Sequence, residues 1–219
     1  MEKKAFLFDL NGTMIDDMEY HVTAWSSLLN EDLGAGLKYE EVKKQMYGKN
    51  SEVLARIFGE GRFTWEEMEV LSIEKEKRYQ LAYKPHLALI KGLHSFINKA
   101  RAKHIEMAIG SAAIPFNIDF VLDNLDLRDY FSVIVSAEEV NISKPHPETY
   151  LKAAELLEIP PRNCLVFEDA PKGVEAAQRA GMDCMVLTTM HQEDEFSQYG
   201  NIVLFTKDYT DARLGKWLL

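Results

Sequence analysis

The stretch Lys4–Thr13, KAFLFDLNGT, decides how the rest of the chain is read. KAFLF has the unbroken apolar pattern of a short buried strand, and DLNGT has the composition of a tight loop. Asp9 therefore stands at the carboxyl end of a predicted strand, with a turn directly behind it. Working outward, Met14, Met18, Val22, Trp25 and Leu29 recur at intervals of three and four, which predicts a helix running to about Asn30. Residues 39–83 hold three more helical stretches, EEVKKQM, SEVLARIF and WEEMEVLSIEKEKRYQLAY, with no strand candidate among them.

Beyond Pro85 the pattern alternates. Helices are expected at Leu93–Lys103, Ile118–Leu125, Glu148–Leu157 and Pro171–Ala180, separated by the strands IEMAIG, FSVIV, CLVF and CMVL and followed by NIVLF. Strands alternating with helices at this spacing imply βαβ units and a mostly parallel sheet. The expected fold class is α/β, a Rossmann-like parallel sheet core made from residues 1–14 and 86–219, with an inserted all-helical cap at 15–85. In such sheets the ligand site lies beyond the carboxyl ends of the strands. The polar clusters DLNGT, GSAA, SKPHPE and EDAPKG each fall at such an end, so four loops are expected to converge on one crevice covered by the insertion.

The 219 residues carry 25 Lys and Arg against 35 Asp and Glu, a net charge of -10. That balance argues against nucleic acid as a partner. It leaves room for a small anionic ligand where a cation and a few donors reverse the potential locally. The amino terminus lacks a signal-peptide core, and no run approaches the roughly 20 apolar residues that span a bilayer. A cytoplasmic protein with no membrane partner is expected, as a monomer or weak homo-oligomer. Cys164 and Cys184 lie in apolar segments without ligand spacing and read as buried thiols.

A strand-end carboxylate followed by backbone N–H groups can attack phosphorus while the turn holds the phosphoryl oxygens. Asp9 fits that role. Attack of one anion on another needs a divalent cation held by further carboxylates, which Glu168 and Asp169 can supply. Oxygen ligation of this kind suits Mg²⁺. Ser111 can donate to a phosphoryl group, and Lys144 can neutralise charge in the transition state.

FDLNGT, GSAA, SKPHPE and VFEDAPKGVEAAQRAGM closely resemble, in order, the four motifs of the haloacid dehalogenase superfamily. The resemblance implies Asp9 as nucleophile and the main-chain carbonyl of Asn11 and the side chain of Asp169 as Mg²⁺ ligands with Glu168 nearby. It also implies Ser111 and Lys144 as phosphate partners, with Gly12, Thr13 and Ala112 lining the substrate. DDMEYHVTAW resembles the β-phosphoglucomutase-like subgroup with its helical cap. From that likeness His21, Gly48 and Lys49 are expected to reach the substrate, the first as a hinge histidine and the last near the leaving group. The EKEK run containing Lys75 reads as a solvated face, and Met68, Leu71 and Tyr79 as a stripe of the cap's own core.

Two departures from the family pattern carry weight. Asn11 stands where the family has a second aspartate that serves as general acid and base, and a carboxamide cannot shuttle that proton. Loss of such catalysis removes roughly 10²–10⁴-fold in rate. Ala113 and Ile114 replace a hydroxyl and a lysine that hold a second phosphate in the mutases. The expected activity is hydrolysis of a small phosphate monoester through an aspartyl-phosphate on Asp9. The alternatives are sugar-phosphate mutase activity and a phosphometabolite-binding protein with impaired turnover. Asn11-Gly12 is also a dipeptide prone to deamidation, which would restore an aspartate in a fraction of molecules.

Overall fold

A computed structural model describes residues 3–218. Contacts divide it into two compact units, one holding the chain up to Asp16 and from Ala88 onward, the other Asp17–Leu87.

The first unit is built on six strands, β1 (Ala5–Phe8), β2 (Glu106–Gly110), β3 (Val133–Val135), β4 (Cys164–Glu168), β5 (Asp183–Leu187) and β6 (Ile202–Thr206). They form one sheet in the order β3-β2-β1-β4-β5-β6, every neighbouring pair parallel. The chain winds outward from β1 through β2 to β3, then returns to β4 on the other side of β1. The order therefore reverses between β1 and β4, which is where a doubly wound sheet opens its ligand crevice.

Both faces of the sheet are buried, and the two-residue period of a strand sorts them. Ala5 and Leu7 of β1 and Cys164 and Val166 of β4 join a core with Tyr150, Ala153, Val174 and Ala177. Those partners lie on the helices Glu148–Leu156 and Pro171–Arg179. Phe6, Phe8 and Phe167 face the opposite way. Phe6 stacks on Phe96 at 5.4 Å and Phe8 on Phe167 at 4.5 Å, with Tyr209 packed beside them. Each fully buried phenylalanine contributes about 1.5–3 kcal/mol from lost hydration.

Most elements lie within a residue or two of their expected bounds, but β3 is shorter than FSVIV. Phe131 leaves the strand to pack edge-on against Phe8 at 5.9 Å. Arg213, in the terminal turn Ala212–Leu218, donates to the Phe205 carbonyl of β6 at 3.0 Å. From the sequence, Trp217, Leu218 and Leu219 are expected to cover the sheet edge or to make an oligomer contact; Leu219 lies outside the described residues. Cys164 and Cys184 are both buried free thiols, as expected.

The second unit is all helix: α1 (Met18–Ser27), α2 (Tyr39–Lys43), α3 (Asn50–Phe58) and α4 (Trp65–Tyr83), with one π turn at Leu28–Asp32. The remaining helices, in the first unit, are α5 (Leu93–Ala102), α6 (Pro115–Asn124), α7 (Glu148–Leu156) and α8 (Pro171–Arg179). Two expectations need correction here. The helical stripe counted Met14, but α1 begins at Met18, and Met14 belongs to the other unit, where its carbonyl accepts from Ile90 N–H at 2.9 Å. The buried face of α4 is Ser72, Lys75, Glu76, Tyr79 and Tyr83, with Met68 and Leu71 only half-buried.

Lys75 is therefore no solvated lysine; it is 2% exposed. Its ammonium lies 2.6 Å from Glu76 Oε1 and 2.9 Å from His21 Nδ1. His21 stacks on Tyr79 at 3.8 Å, and Asp17 Oδ2 accepts from the Tyr79 hydroxyl at 2.5 Å and lies 3.2 Å from His21 Nε2. Asn50 completes the cluster by donating to Glu76 Oε1 at 2.9 Å. Charges this deep survive only when paired and hydrogen-bonded, and here both conditions are met.

Candidate active site

Asp9 and Glu168 reach the same place by strand register. Phe8 pairs with Phe167, so the next residues, Asp9 and Glu168, leave adjacent strand ends side by side. By parity Asp9 continues the face of Ala5 and Leu7, and Glu168 that of Cys164 and Val166, so both point toward α7. Asp9 N–H still donates to the Phe167 carbonyl at 2.9 Å, which fixes the nucleophile candidate to the rigid end of β1. Carboxylate oxygens of Asp9, Glu168 and Asp169 lie within 4.8 Å of one another, all three residues buried.

Lys144, delivered by the loop before α7, points its ammonium between them. Its Nζ lies 2.7 Å from Asp9 Oδ1 and 2.8 Å from Glu168 Oε1. Burial works against the charge on Lys144, but the two carboxylates outweigh it and hold the ammonium above the usual lysine range. Burial also acts on Asp9. Opposed by Lys144 and reinforced by Glu168, it pushes the Asp9 carboxyl up to about 7.

Both oxygens of Glu168 are heavily used. Oε1 accepts from Lys144 and from the Tyr150 hydroxyl at 2.9 Å, and Oε2 accepts from the backbone N–H groups of Asp169 at 2.9 Å and Ala170 at 3.0 Å. A carboxylate offers about four lone-pair sites. Glu168 thus ties Lys144 to the start of α8 and has little capacity left for a direct metal bond.

The loop after β1 folds tightly against this cluster. Gly12 has φ of +72°, and a Cβ there would sit 2.1 Å from Asp169 Oδ2, so only glycine fits. Thr13 is buried, with its hydroxyl 3.4 Å from Asp169 Oδ1. Two residues far along the chain secure the loop: Thr189 donates to the Gly12 carbonyl at 2.6 Å and Tyr209 to the Thr13 carbonyl at 3.0 Å. Ser111 follows β2, one strand over, and its N–H donates to the Val135 carbonyl at 2.9 Å. Its Oγ accepts from Ala113 N–H at 3.1 Å, a bond that leaves the hydroxyl proton for an incoming oxygen. Ala112 lies in the same turn, half-buried.

The structure therefore places Asp9, Asn11, Gly12, Thr13, Ser111, Ala112, Lys144, Glu168 and Asp169 at carboxyl ends of neighbouring strands of one unit. His21, Gly48 and Lys49 belong to the helical unit. There His21 lies in the buried cluster with Lys75, and Gly48 and Lys49 form the turn into α3, with Gly48 at φ of +79°. Sequence reasoning missed Tyr150, Thr189 and Tyr209. No local signal marks any of them, since each acts on a residue 18 or more positions away.

The donor set fits a hard divalent cation. Three buried carboxylates face the single positive charge of Lys144, an excess of negative charge. All-oxygen ligation of this kind selects Mg²⁺ over softer metals.

The description "Haloacid dehalogenase-like hydrolase" matches residues 6–187. Hexitol phosphatase A of Escherichia coli is 32% identical over 182 residues, covering 83% of this chain and 81% of that protein. β-Phosphoglucomutase of Bacillus subtilis is 30% identical over 184 residues, covering 82% and 80%. The crystal structure of β-phosphoglucomutase from Clostridium difficile superposes with a TM-score of 0.83 at 25% identity, covering 99% of this chain and 96% of the other. With the family pattern spanning most of its length and its strand-end acids in register, the chain belongs to the haloacid dehalogenase-like hydrolases.

Proposed function

We propose that this protein is a Mg²⁺-dependent phosphatase acting on a small phosphorylated metabolite of the sugar-phosphate class, with Asp9 as nucleophile. One observation carries the reading. A buried carboxylate at the end of β1 lies 2.7 Å from a buried lysine and within 4.8 Å of two further carboxylates. Relatives named as phosphatases, and a mutase that also handles a sugar phosphate, support the substrate class.

Asp9, Asp169 and the main-chain carbonyl of Asn11 would hold the cation, with Glu168 placed behind them by its four donors. When bound, Mg²⁺ supplies the positive charge that lets a carboxylate approach an anionic phosphoryl group. An Asp9 oxygen forms a bond to phosphorus as the ester P–O bond breaks, and the departing oxygen takes a proton from solvent water. Water then attacks the phosphorus of the aspartyl-phosphate, which frees inorganic phosphate and regenerates the Asp9 carboxylate. Ser111, Gly12, Thr13 and Ala112 are assigned to the phosphoryl oxygens and Lys144 to the charge that builds on them. His21, Gly48 and Lys49 are assigned to the remainder of the substrate on sequence resemblance.

Asn11 sets the rate in this scheme. Its carboxamide cannot hand a proton to the departing oxygen, so turnover is slow and favours esters whose leaving group needs no acid. The same residue favours a second reading, tight binding of a phosphometabolite without turnover. A phosphatase assay over a metabolite panel with Mg²⁺, run beside Asn11→Asp, tests the proposal. Phosphate release lost in Asp9→Ala supports it. Mg²⁺-dependent binding with no release establishes the second reading, and isomerisation with little free phosphate establishes a mutase.

A further inference from the structure

We infer that Tyr150 is a positioning residue for phosphoryl transfer, acting through Glu168 and Lys144. The inference rests on the phosphatase reading and adds to it a residue outside the four motif loops' own acids, hydroxyls and lysine.

Tyr150 lies on the first turn of α7 and is completely buried. It touches three parts of the site at once. Its hydroxyl donates to Glu168 Oε1 at 2.9 Å. The face of its ring lies 4.6 Å from Lys144 Nζ, a cation–π distance. The ring edge packs on Gly110, the residue before Ser111, where an added Cβ would come within 3.2 Å of Tyr150 Cε1. One rigid side chain thus abuts the ends of β2 and β4 and the lysine that faces Asp9.

The hydroxyl has a specific task. Glu168 Oε1 accepts from both Lys144 and Tyr150, so the phenol shares the carboxylate with the ammonium. Burial, with the negative charges of Glu168 and Asp9, raises the phenol well above its usual value, which keeps it a donor at any working pH. Without that donor, Glu168 would draw Lys144 more strongly to itself and away from Asp9, beside which the phosphoryl oxygens gather charge in the transition state. Phenylalanine would keep the ring against Lys144 and Gly110 but lose the shared bond, so the two functions of Tyr150 separate cleanly.

The test compares the full chain with Tyr150→Phe and Tyr150→Leu, using p-nitrophenyl phosphate with saturating Mg²⁺, and inorganic phosphate binding by calorimetry. A lost hydrogen bond to a charged acceptor predicts a fall in kcat of about tenfold for Tyr150→Phe, with KM within about twofold. Tyr150→Leu should fall further, so that phenylalanine partly rescues leucine. Mg²⁺ affinity should stay within about twofold in Tyr150→Phe, because Asp9 and Asp169 remain. A Tyr150→Phe enzyme with unchanged kcat overturns the inference while leaving the phosphatase reading intact. If the unmodified chain releases no phosphate, that reading fails, and phosphate affinity decides instead. Several-fold weaker binding in Tyr150→Phe then upholds the positioning role, and equal affinity, or no phosphate binding in either protein, removes it.

Discussion

The ammonium of Lys144 lies 2.7 Å from Asp9 Oδ1 although 135 residues separate the two in the chain. A parallel sheet makes this contact possible, since Asp9 ends β1 and the loop carrying Lys144 enters α7 on the same face. Lys144 is the only positive counterweight that the described residues bring to within hydrogen-bonding distance of Asp9 and Glu168.

Removing Lys144 should therefore harm both stability and rate. Lys144→Met leaves three buried carboxylates facing one another, a change that costs about 3–5 kcal/mol when a buried pair loses one partner. Urea denaturation of the metal-free protein should show this loss, and added Mg²⁺ should recover part of it. Phosphate release should fall by at least about 10²-fold, as for loss of a charge that stabilises a transition state.

Mg²⁺ itself should raise the melting temperature in a concentration-dependent way. A ligand at about 100 times its Kd adds about 2.7 kcal/mol to stability. Asp169→Asn should abolish the shift measured by calorimetry. A melting temperature indifferent to Mg²⁺ in the unmodified chain would argue against a cation at these carboxylates.

Asn11→Asp should increase phosphate release, by about 10²-fold or more, because it restores a group able to move the departing oxygen's proton. Steady-state kinetics on the preferred ester check this. Peptide mass spectrometry of the unmodified chain should accompany it, since deamidated Asn11 in a minor fraction would produce the same activity at low level.

The two thiols give a pH prediction. Burial pushes Cys164 up to about 11 and Cys184 well above its ordinary value. A raised thiol is protonated below its pKa, so the reactive thiolate is scarce at pH 8 and grows tenfold per pH unit toward 11. A disulfide reagent at pH 8 should leave both cysteines untouched in the folded protein and label both in denaturant. Rapid labelling of the native chain would contradict their burial.

Lys75→Met tests the interior of the helical unit. Lys75 is pulled below the usual lysine range by burial, against the opposing pull of Glu76 and Asp17. Its removal strands Glu76 and should cost about 3–5 kcal/mol in urea denaturation. Lys77→Met, two residues on and exposed, should change stability by no more than about 0.5 kcal/mol.

That contrast marks what the sequence could reveal. Strands such as AFLF and CLVFE announce themselves because both of their faces are buried, so every residue is apolar until the functional acid arrives. Motif spacing then places Asp9, Ser111, Lys144 and Asp169 at strand ends without any coordinates. The EKEK run misled because charge hides helical period: residues 72, 75, 76, 79 and 83 share one face, Glu76 pairs with Lys75 from within the run, and His21, which closes over the pair, lies 54 residues earlier. Met14 fits a helical spacing by coincidence and instead anchors the loop leaving β1. Tyr150 reads as an ordinary helix residue until Glu168 and Gly110 are seen on either side of it.

The account depends on a covalent bond between Asp9 and phosphorus. Borohydride added during turnover of a phosphate ester with Mg²⁺ reduces an acyl phosphate, and peptide mass spectrometry then locates the reduced residue. The account predicts modification at Asp9, in the peptide containing KAFLFDLNGT, dependent on both ester and Mg²⁺. Steady phosphate release with an unmodified Asp9, or retained in Asp9→Ala, would contradict it.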